Sequence, residues 1–182
     1  MNRADRARAF VGLGSNLDTP VDQVRIAIGL LDDLPGTRVE RCSGFYRSAP
    51  VGMRDQPDFI NAVCELSTLL APPVLMRHLL AIEAGRGRVR AQPGGPRILD
   101  LDLLFYIGTD GCPQQSCAAD LVLPHPRLHE RAFVLYPLYE IAPALELAGR
   151  GTVADLRARC SGQRIDRLVT RSATGTTRHH TS

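Results

Sequence analysis

Residues 95–105 read GPRILDLDLLF and carry two carboxylates, Asp100 and Asp102, separated by a single leucine. In a strand, side chains alternate between faces, so the two aspartates share one face while Leu99, Leu101, Leu103 and Phe105 are expected on the other. Their Cα atoms then lie roughly 7 Å apart. Carboxylates in an apolar strand are costly to bury without partners, and divalent cations with phosphate ligands relieve that cost. Two-metal sites for displacement at phosphorus hold their ions about 3.5–4 Å apart, a span that such a pair can bridge. A solvated face of an edge strand is the plain alternative.

Arg88, Arg90 and Arg97 precede the pair, and His125 and Arg131 follow it. Phosphate oxygens favour both hard cations and forked guanidinium donors. The mixture of carboxylates and arginines around one turn and one strand therefore points to a metal–polyphosphate complex. A second group, Phe59 with Asn61, has strand spacing and shares a face. One aromatic plane with one amide suits a flat heterocycle bearing donors and acceptors on its rim. Phe59 and Phe133 could equally be core residues, His125 a loop residue with a structural hydrogen bond, and Glu83 either a site carboxylate or a solvated helix residue.

The elements that must position these residues are legible in outline. The chain has 182 residues, 44% hydrophobic and 23% charged, with a net charge of +3. These values fit one globular domain and require neither a nucleic-acid nor a membrane partner. No apolar run reaches the length of a membrane span, and MNRADRARAF lacks the apolar core of a signal peptide, so a cytoplasmic location is expected. The five cysteines are odd in number and show no CxxC spacing. Free thiols are expected, with neither a disulfide framework nor a zinc site at Cys112 and Cys117.

A first strand is expected over Ala9–Gly14. A helix capped by Thr19 and opened by Pro20 runs to about Leu34, stopped by Pro35-Gly36. Strands are expected over Val39–Arg47 and Phe59–Ser67. A second helix follows Ala71-Pro72-Pro73, with Leu75, Leu79 and Ile82 as its buried stripe. After the aspartate strand come a polar loop over 108–119, a short strand over Asp120–Leu123, a helix over about Leu128–Ile141 and a weaker one over Val153–Cys160. The order β-α-β-β-α-β is the ferredoxin-like arrangement, an α+β sandwich with a mainly antiparallel sheet, C-terminal additions and helices on one face. A single domain over 9–168 is expected, flanked by a flexible N-terminus (1–8) and a disordered tail (169–182). No GxxxxGK[ST] is present, so a P-loop is excluded, and Gly12-x-Gly14 lacks the third glycine of a dinucleotide fold.

Six ordered blocks resemble the 6-hydroxymethyl-7,8-dihydropterin pyrophosphokinases of folate biosynthesis. They are GLGSN (12–16), FYRSAPVG (45–52), DQPDFINAV (55–63), GRVR (87–90), GPRILDLDLL (95–104) and LPHPRLHERAFVLYPLYEIAP (123–143). The resemblance implies transfer of pyrophosphate from ATP to the pterin hydroxymethyl group with release of AMP. It implies Asp100 and Asp102 as ligands of two magnesium ions. Arg88, Arg90, Arg97, His125 and Arg131 would surround the triphosphate, with Arg88 and Arg97 also catalytic and Glu83 a site carboxylate. Phe59 and Phe133 would sandwich the pterin. Asn61 and the segment Ser48, Ala49 and Val51 would read its edge. The partners implied are ATP and the pterin, with no nucleic acid or membrane; a monomer is expected. One stretch, Ala91–Gly94, departs from the pattern: it is one residue shorter and lacks a basic-aromatic pair, which bears on its use as a lid. Three alternatives compete. A pterin- or nucleotide-binding paralogue would have weak or altered transfer activity. An RNA-binding module is opposed by the aspartates on its sheet, and a sugar-phosphate pyrophosphokinase would have no use for Phe59 with Asn61.

Overall fold

Alternation of apolar residues draws Ala7–Ser15 (β1) into the middle of a six-stranded sheet, as seen in a computed structural model that describes residues 5–51, 55–87 and 95–169. Arg88, Arg90, the Ala91–Gly94 stretch, Gly52 and the tail beyond Val169 lie outside the described residues. Pro20–Asp32 (α1) buries Val24, Ala27 and Leu31, a helical stripe. Thr19 stands at its N-cap but does not cap it. Its φ of 58° turns the hydroxyl onto the Asp18 carbonyl (2.6 Å), and Pro20 supplies the helical start instead.

The expected strand over Val39–Arg47 is broken in two, Thr37–Cys42 (β2) and Tyr46–Ser48 (β3). Both pair with the long strand Phe59–Thr68 (β4), whose C-terminal half takes β2 and whose N-terminal half takes β3. The break at 43–45 comes where Ser43 bonds Val63 through both its backbone and its hydroxyl. Cys42 and Cys64 are register partners with Cα atoms 4.4 Å apart, and they form a disulfide. The free-thiol expectation is therefore wrong for this pair, because two distant cysteines fall opposite each other across antiparallel strands. Cys112, Cys117 and Cys160 are free.

Pro72–Gly85 (α2) follows, and the aspartates open the edge strand Asp100–Ile107 (β5), which pairs with β1. The order β5-β1-β4, with β2 and β3 beyond, is the ferredoxin-like order, and every pairing is antiparallel. The loop after β5 contains a small hairpin, Ser116–Ala118 (β6) with Leu121–Leu123 (β7). A short 3-10 turn at Leu128–Glu130 then precedes Ala132–Ile141 (α3), so the helix expected from Leu128 begins later, after extended Arg131. A two-residue hairpin, Glu146–Leu147 (β8) with Gly151–Thr152 (β9), leads into Val153–Arg159 (α4), which starts on a full Thr152–Asp155 capping box. Last comes Ile165–Arg167 (β10), a strand absent from the sequence reading, which adds to β3 at the far edge.

Two apolar clusters lie on opposite faces of the sheet. α1 and α2 close over Val11, Leu13, Ala62, Leu99, Leu101 and Leu103. α3 and α4 close over Phe10, Val63, Leu104 and Phe105. The helices thus cover both faces, against the one-face expectation. α3 shields one end of the second face and leaves the rest open. Phe105 also departs from the expected alternation: a register shift between Phe10 and Val11 turns it onto the aspartates' face. None of the described helices is long and apolar enough to cross a membrane.

Candidate active site

The open part of the second face is where the chemistry-bearing residues gather. Register places Gly14 opposite Asp100 and Gly12 opposite Asp102 on one side, and the same glycines opposite Asn61 and Val63 on the other. Gly14 leaves the floor open between Asp100 and the Asn61 amide, while the Leu104 side chain packs over Gly12. A cleft of about 230 Å³ sits on that floor, and Phe59, Asn61, Arg97, Asp100, Asp102, Arg131 and Phe133 all line it, with Ser48, Ala49 and Val51 at its rim. These segments, distant in the chain, meet because β3, β4, β1 and β5 are neighbours and α3 begins at the cleft wall.

Asn61 is buried. Its Nδ2 donates to Ser48 Oγ (3.0 Å) and to the Tyr46 carbonyl (3.3 Å). That fixes the amide and turns Oδ1, an acceptor, toward Gly14. Arg97 is held at both ends. Its backbone N–H donates to Asn16 Oδ1 (2.8 Å), its carbonyl accepts from the Asn16 N–H (3.1 Å), and its Nη1 meets Asp100 Oδ2 at 2.6 Å. The guanidinium also lies 5.9 Å from the Phe59 ring centre, while Arg131 lies 5.4 Å from that of Phe133. Each aromatic wall therefore carries an arginine beside it.

Arg131 is half-buried, and its Nε finds no hydrogen-bond partner among the described residues. Burial first, then Arg127, holds its pKa below the ordinary value, with Asp102 and Asp100 opposing the shift. A cation partly desolvated among other cations is a ready anion site. His125 does not line the cleft but feels its charges. Burial and then Arg131 and Arg127 push the imidazole down to about 4, against the pull of Asp100. Its Nδ1 accepts from the Arg127 N–H (3.2 Å), so the neutral ring keeps its proton on Nε2.

Glu83 is neither solvated nor in the cleft. It is 2% exposed on α2, and its Oε1 accepts from the Leu101 N–H at 2.7 Å. It therefore grips the outer edge of β5 between the two aspartates. Three contributors escaped the sequence reading. Arg127 lines the cleft, and its place between His125 and Arg131 was the available signal. Asn16 anchors Arg97, and Gly14 clears the floor between Asn61 and Asp100. Their only trace was the GLGSN turn.

Among the described residues no three His, Cys, Asp or Glu side chains converge to hold a metal ion. The hard donor set here is the aspartate pair, which suits a cation such as magnesium that keeps its waters and takes phosphate oxygens.

Paired carboxylates in an arginine-walled cleft on the sheet of an α+β sandwich are the kind of groups that phosphoryl transfer uses. Residues 10–143 match the family model for 7,8-dihydro-6-hydroxymethylpterin-pyrophosphokinase (HPPK). The chain is 43% identical to a 2-amino-4-hydroxy-6-hydroxymethyldihydropteridine pyrophosphokinase of Pseudomonas aeruginosa, over 88% of this chain and 96% of that one. It is 41% identical to the protein of the same name from Haemophilus influenzae, over 81% and 89%. A solved HPPK-DHPS in complex with substrates shares the fold, with a TM-score of 0.66 at 12% identity. That match covers 85% of this chain and 43% of the longer one. The chain belongs to the HPPK family.

Proposed function

We propose that this chain transfers pyrophosphate from ATP to the hydroxymethyl group of 6-hydroxymethyl-7,8-dihydropterin, releasing AMP, in folate biosynthesis. The observation that carries the proposal is the single cleft in which Asp100 and Asp102 meet Arg97, Arg131 and the set Phe59, Asn61 and Phe133.

In this reading the pterin ring lies between Phe59 and Phe133, and Asn61 Oδ1 accepts from its N–H edge. The backbone of Ser48, Ala49 and Val51 completes the edge. Arg97 and Arg131 hold phosphate oxygens, and the family resemblance assigns the Nε2–H of neutral His125, just outside the cleft lining, to the same anion. Arg88 and Arg90, outside the described residues, are assigned to the same anion by the family resemblance. Asp100 and Asp102 would hold two magnesium ions, which when bound neutralise the triphosphate and lower the pKa of the attacking hydroxyl. The pterin oxygen bonds to the β-phosphorus, the bond from the β-phosphorus to the bridging oxygen breaks, and that oxygen leaves on AMP. The chain contributes alignment and charge, which dominate in phosphoryl-type transfer. Glu83, expected as a site carboxylate, serves in this reading to support β5.

A single cytoplasmic domain over 9–168, acting as a monomer, is part of the same proposal. Turnover with ATP, magnesium and the hydroxymethyl pterin tests it. Stoichiometric AMP and pterin diphosphate are expected. Binding of both ligands without AMP release would favour the paralogue reading instead.

A further inference from the structure

We infer that Gln163–Arg167, a segment beyond the 10–143 family match, is a clamp that positions the Arg131–Phe133 wall of the cleft and the Asn61 amide. The inference rests on the slot assignment proposed above.

Gln163 reaches the first wall. Its Nε2 donates to the Glu130 carbonyl (2.7 Å), and its Oε1 accepts from the Ala132 N–H (2.9 Å). The two bonds straddle Arg131 and stop just short of Phe133. Arg131, at the N-cap of α3, offers no side-chain cap of its own. Gln163 supplies the missing acceptor from a distant segment and so fixes where α3 begins.

Arg167 reaches the Asn61 side of the cleft. β10 pairs with β3, setting Ile165 opposite Ser48 and Arg167 opposite Tyr46. Arg167 Nη2 meets Glu140 Oε1 at 2.5 Å. The other oxygen of Glu140 accepts from Tyr46 Oη (3.1 Å) and from the Gly44 N–H (2.9 Å). A Cβ on Gly44 would lie 3.1 Å from the Arg167 guanidinium, so the glycine clears its path. Tyr46 and Ser48 in turn supply the acceptors that hold the Asn61 amide. An isolated surface ion pair counts for little, but here the carboxylate also gathers a phenol and a backbone donor.

Gln163 and Arg167 are thus positioning residues with different outputs. Gln163 supports Arg131 and Phe133, and Arg167 supports Asn61 and Ser48. The test uses full-length variants, with kcat and the KM of each substrate measured beside thermal melts. Arg167→Ala should raise the pterin KM about three- to tenfold, the effect of losing a hydrogen bond or two, and leave the ATP KM within about twofold. Arg167→Lys should recover part of the loss. Gln163→Ala should raise both KM values by similar factors, since its wall carries an arginine and an aromatic ring. If Arg167→Ala does not fold, Glu140→Gln reads the same link. Unchanged pterin KM in the Arg167 (or Glu140) and Gln163 variants, while Asn61→Ala and Phe133→Ala weaken pterin binding, would overturn the clamp and leave the slot standing. Unchanged binding in Asn61→Ala and Phe133→Ala would overturn the slot itself.

Discussion

Asn61 and Gly14 stand opposite each other in the β1–β4 pair, and the absent side chain at Gly14 is what lets the Asn61 carboxamide face the cleft. A Cβ at Gly14 would sit 3.6 Å from Asn61 Oδ1 and 3.9 Å from Asp100 Cβ. A single methyl would fit there, but a branched side chain would stand between the amide and the carboxylate.

Gly14→Val should therefore cut pterin affinity at least about tenfold, roughly 1.4 kcal/mol. Folding should be little changed, since Val is well suited to a strand. Calorimetric titration with pterin beside a thermal melt checks both halves. Wild-type affinity in the variant would place the ring elsewhere.

Phe133→Ala should weaken pterin binding by about 1–3 kcal/mol, the range for loss of one stacking partner, and Phe59→Ala by a similar amount. ATP affinity should move much less in both. An equal loss for the two ligands would mark Phe133 as a support of the apolar cluster that it borders.

Glu83→Ala removes a buried acceptor from the Leu101 N–H, which costs about 1–3 kcal/mol when the donor is left unsatisfied. Urea unfolding should show that loss. Turnover should drop more than pterin affinity, because β5 carries the aspartates and not the aromatic walls. Glu83→Gln, which keeps an acceptor, should recover much of the stability. A wild-type unfolding midpoint for the alanine variant would mean that β5 is held by other contacts.

His125 gives a pH signature. Its folded value of about 4 lies below the ordinary 6.5, chiefly through burial. Between roughly pH 6.5 and pH 4 the unfolded chain binds a proton that the folded chain refuses, so stability falls as pH drops through that window. Replacing His125 with Gln should flatten this fall, as read from urea midpoints at pH 7 and pH 5. Identical slopes for both proteins would show an imidazole that titrates normally.

Much of this site is readable in the sequence because strand periodicity is strict. Asp100 with Asp102 and Phe59 with Asn61 needed only a two-residue repeat to be placed on a face. Glu83 was harder, although it continues the buried i, i+4 series of Leu75 and Leu79 by one step. A carboxylate in that stripe reads as a frayed helix end until its backbone partner is known. Phe105 was misplaced because a register shift breaks periodicity without leaving a compositional mark. The Cys42–Cys64 bond and the strand β10 depend on register and on contacts between segments far apart in the chain, which local pattern does not encode.

Turnover of Asp100→Asn and Asp102→Asn at saturating magnesium tests the central claim most directly, because each change keeps the shape of the side chain and removes its charge. AMP formation should fall at least about a thousandfold in each variant, some 4 kcal/mol of transition-state stabilisation. Pterin binding, measured by calorimetry on the same preparations, should persist. Near-normal AMP formation in both variants would contradict the assignment of the aspartate pair as the centre of the reaction.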